Sequence, residues 1–212
     1  MNRRLAIVGL ALWAAFSVHI AGCSRGPARV LPPKISPSSA ASAAMEKYDT
    51  NKDGYLDAKE LEKAPALRSA LKQIDTNSDG KISADEIAAR ITQWQATGVG
   101  LTTLTARVTL DGQPLEDATV TLVPEEFLGP EMQKAVGKTN KGGMAGMSIE
   151  HPPVPQYRGV QQGLYRVEIS KVVNGKETIP SKYNTETALG VEVARGAPGM
   201  AQGSVPFELK SE

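Results

Sequence analysis

One cysteine, Cys23, and two histidines, His19 and His151, are all the thiol and imidazole that this 212-residue chain carries. A disulfide framework needs paired thiols, and zinc sites or Cys-His and Ser-His-Asp nucleophilic constellations need these groups to converge, so all of them lose support together. Charge of one sign is missing too: 24 Lys and Arg stand against 23 Asp and Glu, a formal net charge of +1. Binding to nucleic acid draws on a basic field that neutralises phosphates, so nucleic acid is not an expected partner. Aromatics are sparse, with two Trp, five Tyr and three Phe, which leaves the core to aliphatic side chains. The 41% hydrophobic content still argues against wholesale disorder. With no nucleophile and base to pair, the chain reads as non-enzymatic.

Long apolar runs are absent beyond residues 5–20, which follow Arg3 and Arg4. Sixteen helical residues rise about 24 Å, short of the roughly 30 Å hydrocarbon core, so the run reads as an export signal rather than a permanent span. It ends in Ile20-Ala21-Gly22-Cys23, which resembles the bacterial lipobox. The resemblance implies a lipoprotein signal peptide over residues 1–22 and a Cys23 that is diacylated and becomes the new amino terminus. Several acyl chains, at about 0.8 kcal/mol per buried methylene, hold a protein at a bilayer where one chain is marginal. Localisation is then export and lipid anchoring to the bacterial envelope, with Ser24 after the cysteine favouring the outer membrane or cell surface over the inner membrane. Loss of Arg3 and Arg4 leaves 22 basic residues against 23 acidic ones. Residues 24–44, rich in Pro, Ser and Ala, read with Cys23 as a flexible tether whose Ala-rich end runs into the first helix. Extended at ~3.1 Å per residue it spans about 65 Å, enough to lift a folded body clear of head groups.

The next segment, residues 45–98, holds two acidic loops with a glycine at their centre. In residues 49–60, oxygen-bearing side chains stand at loop positions 1, 3, 5, 9 and 12: Asp49, Asn51, Asp53, Asp57 and Glu60, with Gly54 at position 6 and Leu56 at position 8. In residues 75–86 the same positions hold Asp75, Asn77, Asp79, Ser83 and Glu86, with Gly80 and Ile82. A hard divalent cation takes six to eight oxygens at about 2.3–2.6 Å, and a tight loop can direct alternate side chains inward to supply them. Both loops resemble the EF-hand over every signature position. The resemblance implies Ca2+ at two sites, with the backbone carbonyls of Tyr55 and Lys81 completing the ligand sets at position 7.

The first loop has four ligand carboxylates and the second three, so the first is expected to bind more tightly. Leu56 and Ile82 are expected to pair as short antiparallel strands. Pro65 should end one helix and begin the next, Leu67, Leu71 and Ile74 form an apolar stripe, and Ile87, Ile91 and Trp94 form another used for packing. Met45 is the only methionine of the segment, so a Met-rich groove of the calmodulin kind is not expected, and a constitutively filled clip fits better.

After Gly98 and Gly100 the grammar changes to short alternating runs. Strands are expected over residues 102–110, 118–123, 135–139, 144–149, 163–173, 189–194 and 205–209, an antiparallel β-sandwich of about seven strands. The stretch 108–124 with Asp111-Gly112-Gln113-Pro114, the stretch 137–143, Gly163-Leu164-Tyr165-Arg166-Val167 and the segment 179–184 resemble the carboxypeptidase regulatory-like, transthyretin-like domain of bacterial surface lipoproteins over most of residues 101–212. That resemblance implies a non-catalytic sandwich. The turn Lys141-Gly142-Gly143-Met144 departs from its usual pattern. His151, among prolines, and the pair Glu125-Glu126 read as solvated surface.

The fold class expected is therefore α+β multidomain: a helical EF-hand pair, then the sandwich. The function expected is a calcium-binding, lipid-anchored, non-enzymatic binding module with the membrane and an envelope protein or polysaccharide as partners. The alternatives are a structural or adhesion spacer with filled calcium clips and, least favoured, a calcium-stabilised hydrolase. No motif encodes an oligomeric state.

Overall fold

The computed structural model describes residues 30–197, 200 and 204–211. Residues 1–22, expected to be an export signal, Cys23 and residues 24–29 lie outside the described residues. The first helix, α1 (Pro37–Tyr48), begins with Ser36 at its N-cap and Pro37 at its first position, where a missing N–H costs nothing. Alanine, the strongest helix former, then carries it, and Ala40, Ala41 and Ala44 are buried. Upstream, Ile35 is buried and its carbonyl accepts from Gln95 Nε2 at 2.6 Å, while the Lys34 N–H donates to Glu131 at 2.8 Å. The tether expected over residues 24–44 is therefore folded from residue 30 onward. Proline and serine mark helix starts as readily as linkers, and only tertiary contacts tell the two apart.

The first loop closes through β1 (Tyr55–Leu56) into α2 (Ala58–Leu61), followed by α3 (Pro65–Ser69) and α4 (Leu71–Ile74). The second closes through β2 (Ile82–Ser83) into α5 (Ala84–Ala96), which packs along α1. Pro65 sits at the start of α3 as its sequence position predicts. Leu67 and Ile74 are buried while Leu71 is half-buried, and Ile87, Ile91 and Trp94 are all buried on α5.

The remainder is a curled sheet. Its strands are β3 (Leu104–Leu110), β4 (Gln113–Pro114), β5 (Thr119–Pro124), β6 (Ala135–Lys138), β7 (Met144–Ile149) and β8 (Gly163–Ser170). A small hairpin follows, β9 (Val172–Val173) with β10 (Lys176–Glu177), then β11 (Gly190–Val193) and β12 (Val205–Leu209) return to the sheet. The strand order is β11-β8-β5-β6-β7-β3-β12, with β4 on β3. Every pairing is antiparallel except β12 on β3, which is parallel. All seven expected strands are present, and the hydrogen-bonded path runs unbroken through β6, so the two layers expected of a sandwich belong to one sheet. Within it, β6 pairs with β5 over four residues but with β7 over only two. Gly137, just past the residues of β6 that pair with β7, has no room for a side chain, since a Cβ would lie 2.7 Å from Met147 Sδ and 2.8 Å from the Gly146 carbonyl. The unusual turn before Met144 still forms a strand, with Met144 opposite Arg107. Gly143 makes it possible, at φ +72° and pressed against the Val108 carbonyl where no side chain fits.

The helical part covers the outer face of the β8–β11 edge. Gly190 of β11 lies so close to the backbone of Pro65 that no Cβ would fit between them, which lets α3 rest directly on the strand. One contiguous cluster of buried residues runs from Ile35 through the helices into the sheet as far as Leu209. The boundary legible at Gly98 and Gly100 is a change of grammar and not a gap in packing. No helix among the described residues is long and apolar enough to cross a membrane.

Candidate metal centre

The two loops turn alike. Positions 4 and 6 are left-handed in both, with Lys52 at φ 59° and Gly54 at 86°, then Ser78 at 62° and Gly80 at 80°. This reversal aims the loop N–H groups at the side chains of positions 1, 3 and 5. Gly54 N–H donates to Asp49 Oδ2 at 3.0 Å and Gly80 N–H to Asp75 Oδ2 at 2.9 Å. Asp53 N–H donates to Asn51 Oδ1 and Asp79 N–H to Asn77 Oδ1, both at 2.9 Å. Tyr55 and Lys81 give their N–H groups to Asp53 and Asp79. β1 and β2 join the loops, with Leu56 opposite Ile82 and Tyr55 opposite Ser83, as expected.

Position 12 reaches back across each loop from a helix's first turn. Glu60 and Glu86 are the N3 members of capping boxes with Asp57 and Ser83. Glu60 accepts from the Thr50 N–H at 2.7 Å and the Asp57 N–H at 3.1 Å, and Glu86 from the Thr76 N–H at 3.0 Å and the Ser83 N–H at 2.9 Å. Burial by itself would raise both carboxyls. The backbone bonds from Asp57, Asn51 and Thr50 to Glu60, and the bonds from Ser83 and Thr76 to Glu86, outweigh it and hold both below the usual carboxylate range. Both are thus ready as anions at neutral pH.

Asp49 Oδ1 is buried without a hydrogen-bond partner. A buried carboxylate oxygen left so carries an uncompensated desolvation cost, which a cation at the loop centre would relieve. The donors are all oxygens, the set that suits a hard dication. Among the described residues no three His, Cys, Asp or Glu converge as a ready-made metal cluster. The reason is visible in the hydrogen bonds, since the loop carboxylates are turned onto their own N–H groups and part of the ligand set is amide, hydroxyl and carbonyl. One cation crosses between the loops: Lys81 Nζ lies 3.9 Å from Asp53 Oδ2 and over the Tyr55 ring. It offsets part of the first loop's extra negative charge.

The EF hand family matches residues 42–64 and 67–89, one loop in each stretch. Comparison with curated proteins gives no match. The chain thus carries an EF-hand pair within residues 42–89 followed by an antiparallel β part, and the motifs point to calcium.

Two buried carboxylates outside the loops were not legible as such. Glu125, read with Glu126 as solvated, is 1% exposed. Neighbouring residues at a strand end diverge: Glu126 turns out to Lys47 at 2.8 Å, while Glu125 turns in and accepts from Tyr48 Oη at 2.8 Å. Tyr48 is the last residue of α1 and immediately precedes Asp49. Glu192 on β11 accepts from Arg90 Nε at 2.6 Å and from Trp94 Nε1 at 2.8 Å, both on α5. Trp94 is therefore packed as expected, with its N–H used. The helix entering the first loop and the helix leaving the second are each pinned to the sheet by one buried carboxylate. His151 is exposed as anticipated.

Burial raises the Glu125 carboxyl above its ordinary 4.5, against the opposing pull of the Tyr48 hydroxyl and the Lys47 and Arg166 charges. A carboxyl raised on folding costs stability wherever it is ionised, and the cost fades as pH falls through the raised value toward the ordinary one. Glu125→Gln keeps an acceptor for Tyr48 and removes the charge. The variant is expected to melt higher than the parent at pH 7.5, with the gap closing toward pH 4.5 in parallel thermal scans. A constant gap, or none, would assign the cost elsewhere.

Proposed function

We propose that this protein is a calcium-binding, lipid-anchored component of the bacterial envelope with no catalytic role, in which two filled EF-hand loops brace a carboxypeptidase regulatory-like β part. The ligands are Asp49, Asn51, Asp53, Tyr55, Asp57 and Glu60 for one ion, and Asp75, Asn77, Asp79, Lys81, Ser83 and Glu86 for the other, Tyr55 and Lys81 through their carbonyls. What supports this reading best is the twin loop geometry, with Asp49 Oδ1 buried and unpartnered. When bound, the ions supply concentrated positive charge that draws each ligand set together. The bonds of Tyr48 and Trp94 to buried carboxylates favour a brace over an opening switch, because both helices beside the loops are already committed to the sheet.

A second reading, a calcium-dependent binding module for an envelope protein or polysaccharide, is favoured by a cavity of about 610 Å³ beside Glu125, lined among others by Met132, Lys134 and Arg166. Envelope extracts passed over the immobilised protein with calcium or with chelator separate the two, since only a module retains a partner that chelator releases.

The first test of the metal claim is calorimetric titration of the mature chain in detergent, with and without excess magnesium, beside the Glu60→Gln/Glu86→Gln variant. Saturable uptake of two ions, lost in the variant, is expected. An absence of calcium-dependent heat in the parent would sink the claim.

A further inference from the structure

We propose that the end of the body where the N-terminal segment emerges is a bilayer-docking face, with Leu31, Tyr157 and Arg158 against lipid head groups. This rests on the reading of Cys23 as lipidated. Between Cys23 and Val30 lie residues 24–29. Whatever their path, the seven steps from Cys23 to Val30 reach at most about 25 Å at roughly 3.3–3.6 Å each, far less than the tether that composition suggested.

The leash ends firmly. The carbonyls of Val30 and Leu31 press on Gly100, where no side chain fits, and Lys34 and Ile35 are held by Glu131 and Gln95. A chain anchored at Cys23 therefore keeps this end of the body within reach of the membrane surface at all times. So short a leash gives the facing surface an effective concentration near the membrane in the millimolar range, so a contact too weak to bind a free protein becomes populated.

The surface at this end has interfacial chemistry. Leu31 is 69% exposed, the most exposed of the large apolar side chains among the described residues. Next to it a groove of about 460 Å³ is lined by Val30, Val99, Leu101, Tyr157 and Arg158. Tyrosine is suited to the head-group layer, apolar along the ring and polar at its tip, and arginine extends its charge from an apolar stem toward phosphate. Arg158 forms no ion pair among the described residues, so its guanidinium is available.

The same placement orients the calcium loops. Gln95, near the end of α5, bonds to Ile35, before the start of α1, so the two helices run antiparallel. Asp49 then lies a helix length from the leash, about 18 Å for the twelve residues of α1. Docked in this way, the protein holds its calcium loops away from the bilayer.

Lipidated Cys23 has no free thiol and the chain has no other cysteine, so a single nitroxide can be placed at will. The test uses the mature lipidated protein in nanodiscs of phosphatidylcholine and phosphatidylglycerol, with labels on Leu31→Cys, Arg158→Cys and, at the exposed loop end, Lys59→Cys. Power-saturation measurements then compare collision with membrane-partitioned oxygen and with a water-soluble nickel chelate. Oxygen-to-nickel ratios severalfold higher at 31 and 158 than at 59 are expected. Ratios equal at all three sites, in protein that mass spectrometry shows to be acylated, overturn the docking face and leave the anchor standing. Mass spectrometry that finds the mature protein processed but unacylated at Cys23 overturns the anchor, and the docking face with it.

Discussion

Saturating calcium is expected to raise the unfolding temperature of the whole chain by about 10 to 20 °C, in one transition. Each site filled at a hundred times its dissociation constant adds about 2.7 kcal/mol, and 1 kcal/mol moves the midpoint of a domain this size by about 2–4 °C. What makes this a statement about the whole chain is the packing between its parts. The buried cluster is continuous from Ile35 to Leu209, α3 lies on β11 with no room for a side chain at Gly190, and Tyr48 and Trp94 bond across the junction. Stability supplied to the loops is therefore shared with the sheet. Differential scanning calorimetry with calcium or chelator reads it directly, and Glu60→Gln/Glu86→Gln should abolish the shift. Two transitions, of which calcium moves only one, would mean that the helical part and the sheet unfold independently.

Glu192→Ala is expected to cost about 3–5 kcal/mol, the range for breaking a buried ion pair from one side. The Glu192 side chain is 2% exposed and that of Arg90 15%, so removing the carboxylate strands a largely buried guanidinium and takes the acceptor from Trp94 Nε1. The cost comes from what is left unpaired, and replacing both partners by apolar residues of similar volume should recover most of it. Arg90→Met/Glu192→Leu is thus expected to fall between the single variant and the parent, since it removes the stranded guanidinium but still leaves the Trp94 N–H without its acceptor, and urea titrations of parent, single and double variants at unchanged slope measure all three. A loss below about 1 kcal/mol in Glu192→Ala would place the pair with exposed ones, which contribute little. Calcium should still bind this variant, since none of the loop ligands changes.

The loops and the strands were legible because their chemistry is local. An EF-hand loop is specified by residue types at fixed offsets within a dozen positions, and Gly54, Gly80, Leu56 and Ile82 fall into the conformations and pairing that the pattern requires. The strands follow from period-two alternation bounded by turn residues, a property of neighbours. The parallel return of β12 onto β3 depends on segments far apart in the chain, and no local pattern marks it.

The buried carboxylates belong to the same class. Glu125 finds its donor 77 residues away and Glu192 finds its donors 98 and 102 residues away, so nothing beside either residue separates it from a surface acid. The N-terminal stretch is ambiguous in sequence for a related reason. Its Pro, Ser and Ala content is shared by linkers and by helices that start with proline, and Gln95, Glu131 and Gly100 decide between them from across the fold.

By itself, the sequence determined the two EF-hand loops and the order of helices before strands, because spacing and periodicity are written between near neighbours. Only the tertiary structure decided that the two parts share one core, which acids are buried, and where the N-terminal stretch joins the fold. Burial and long-range pairing are set by which distant side chains the packed chain brings within a few ångströms, and a local pattern carries no record of that distance.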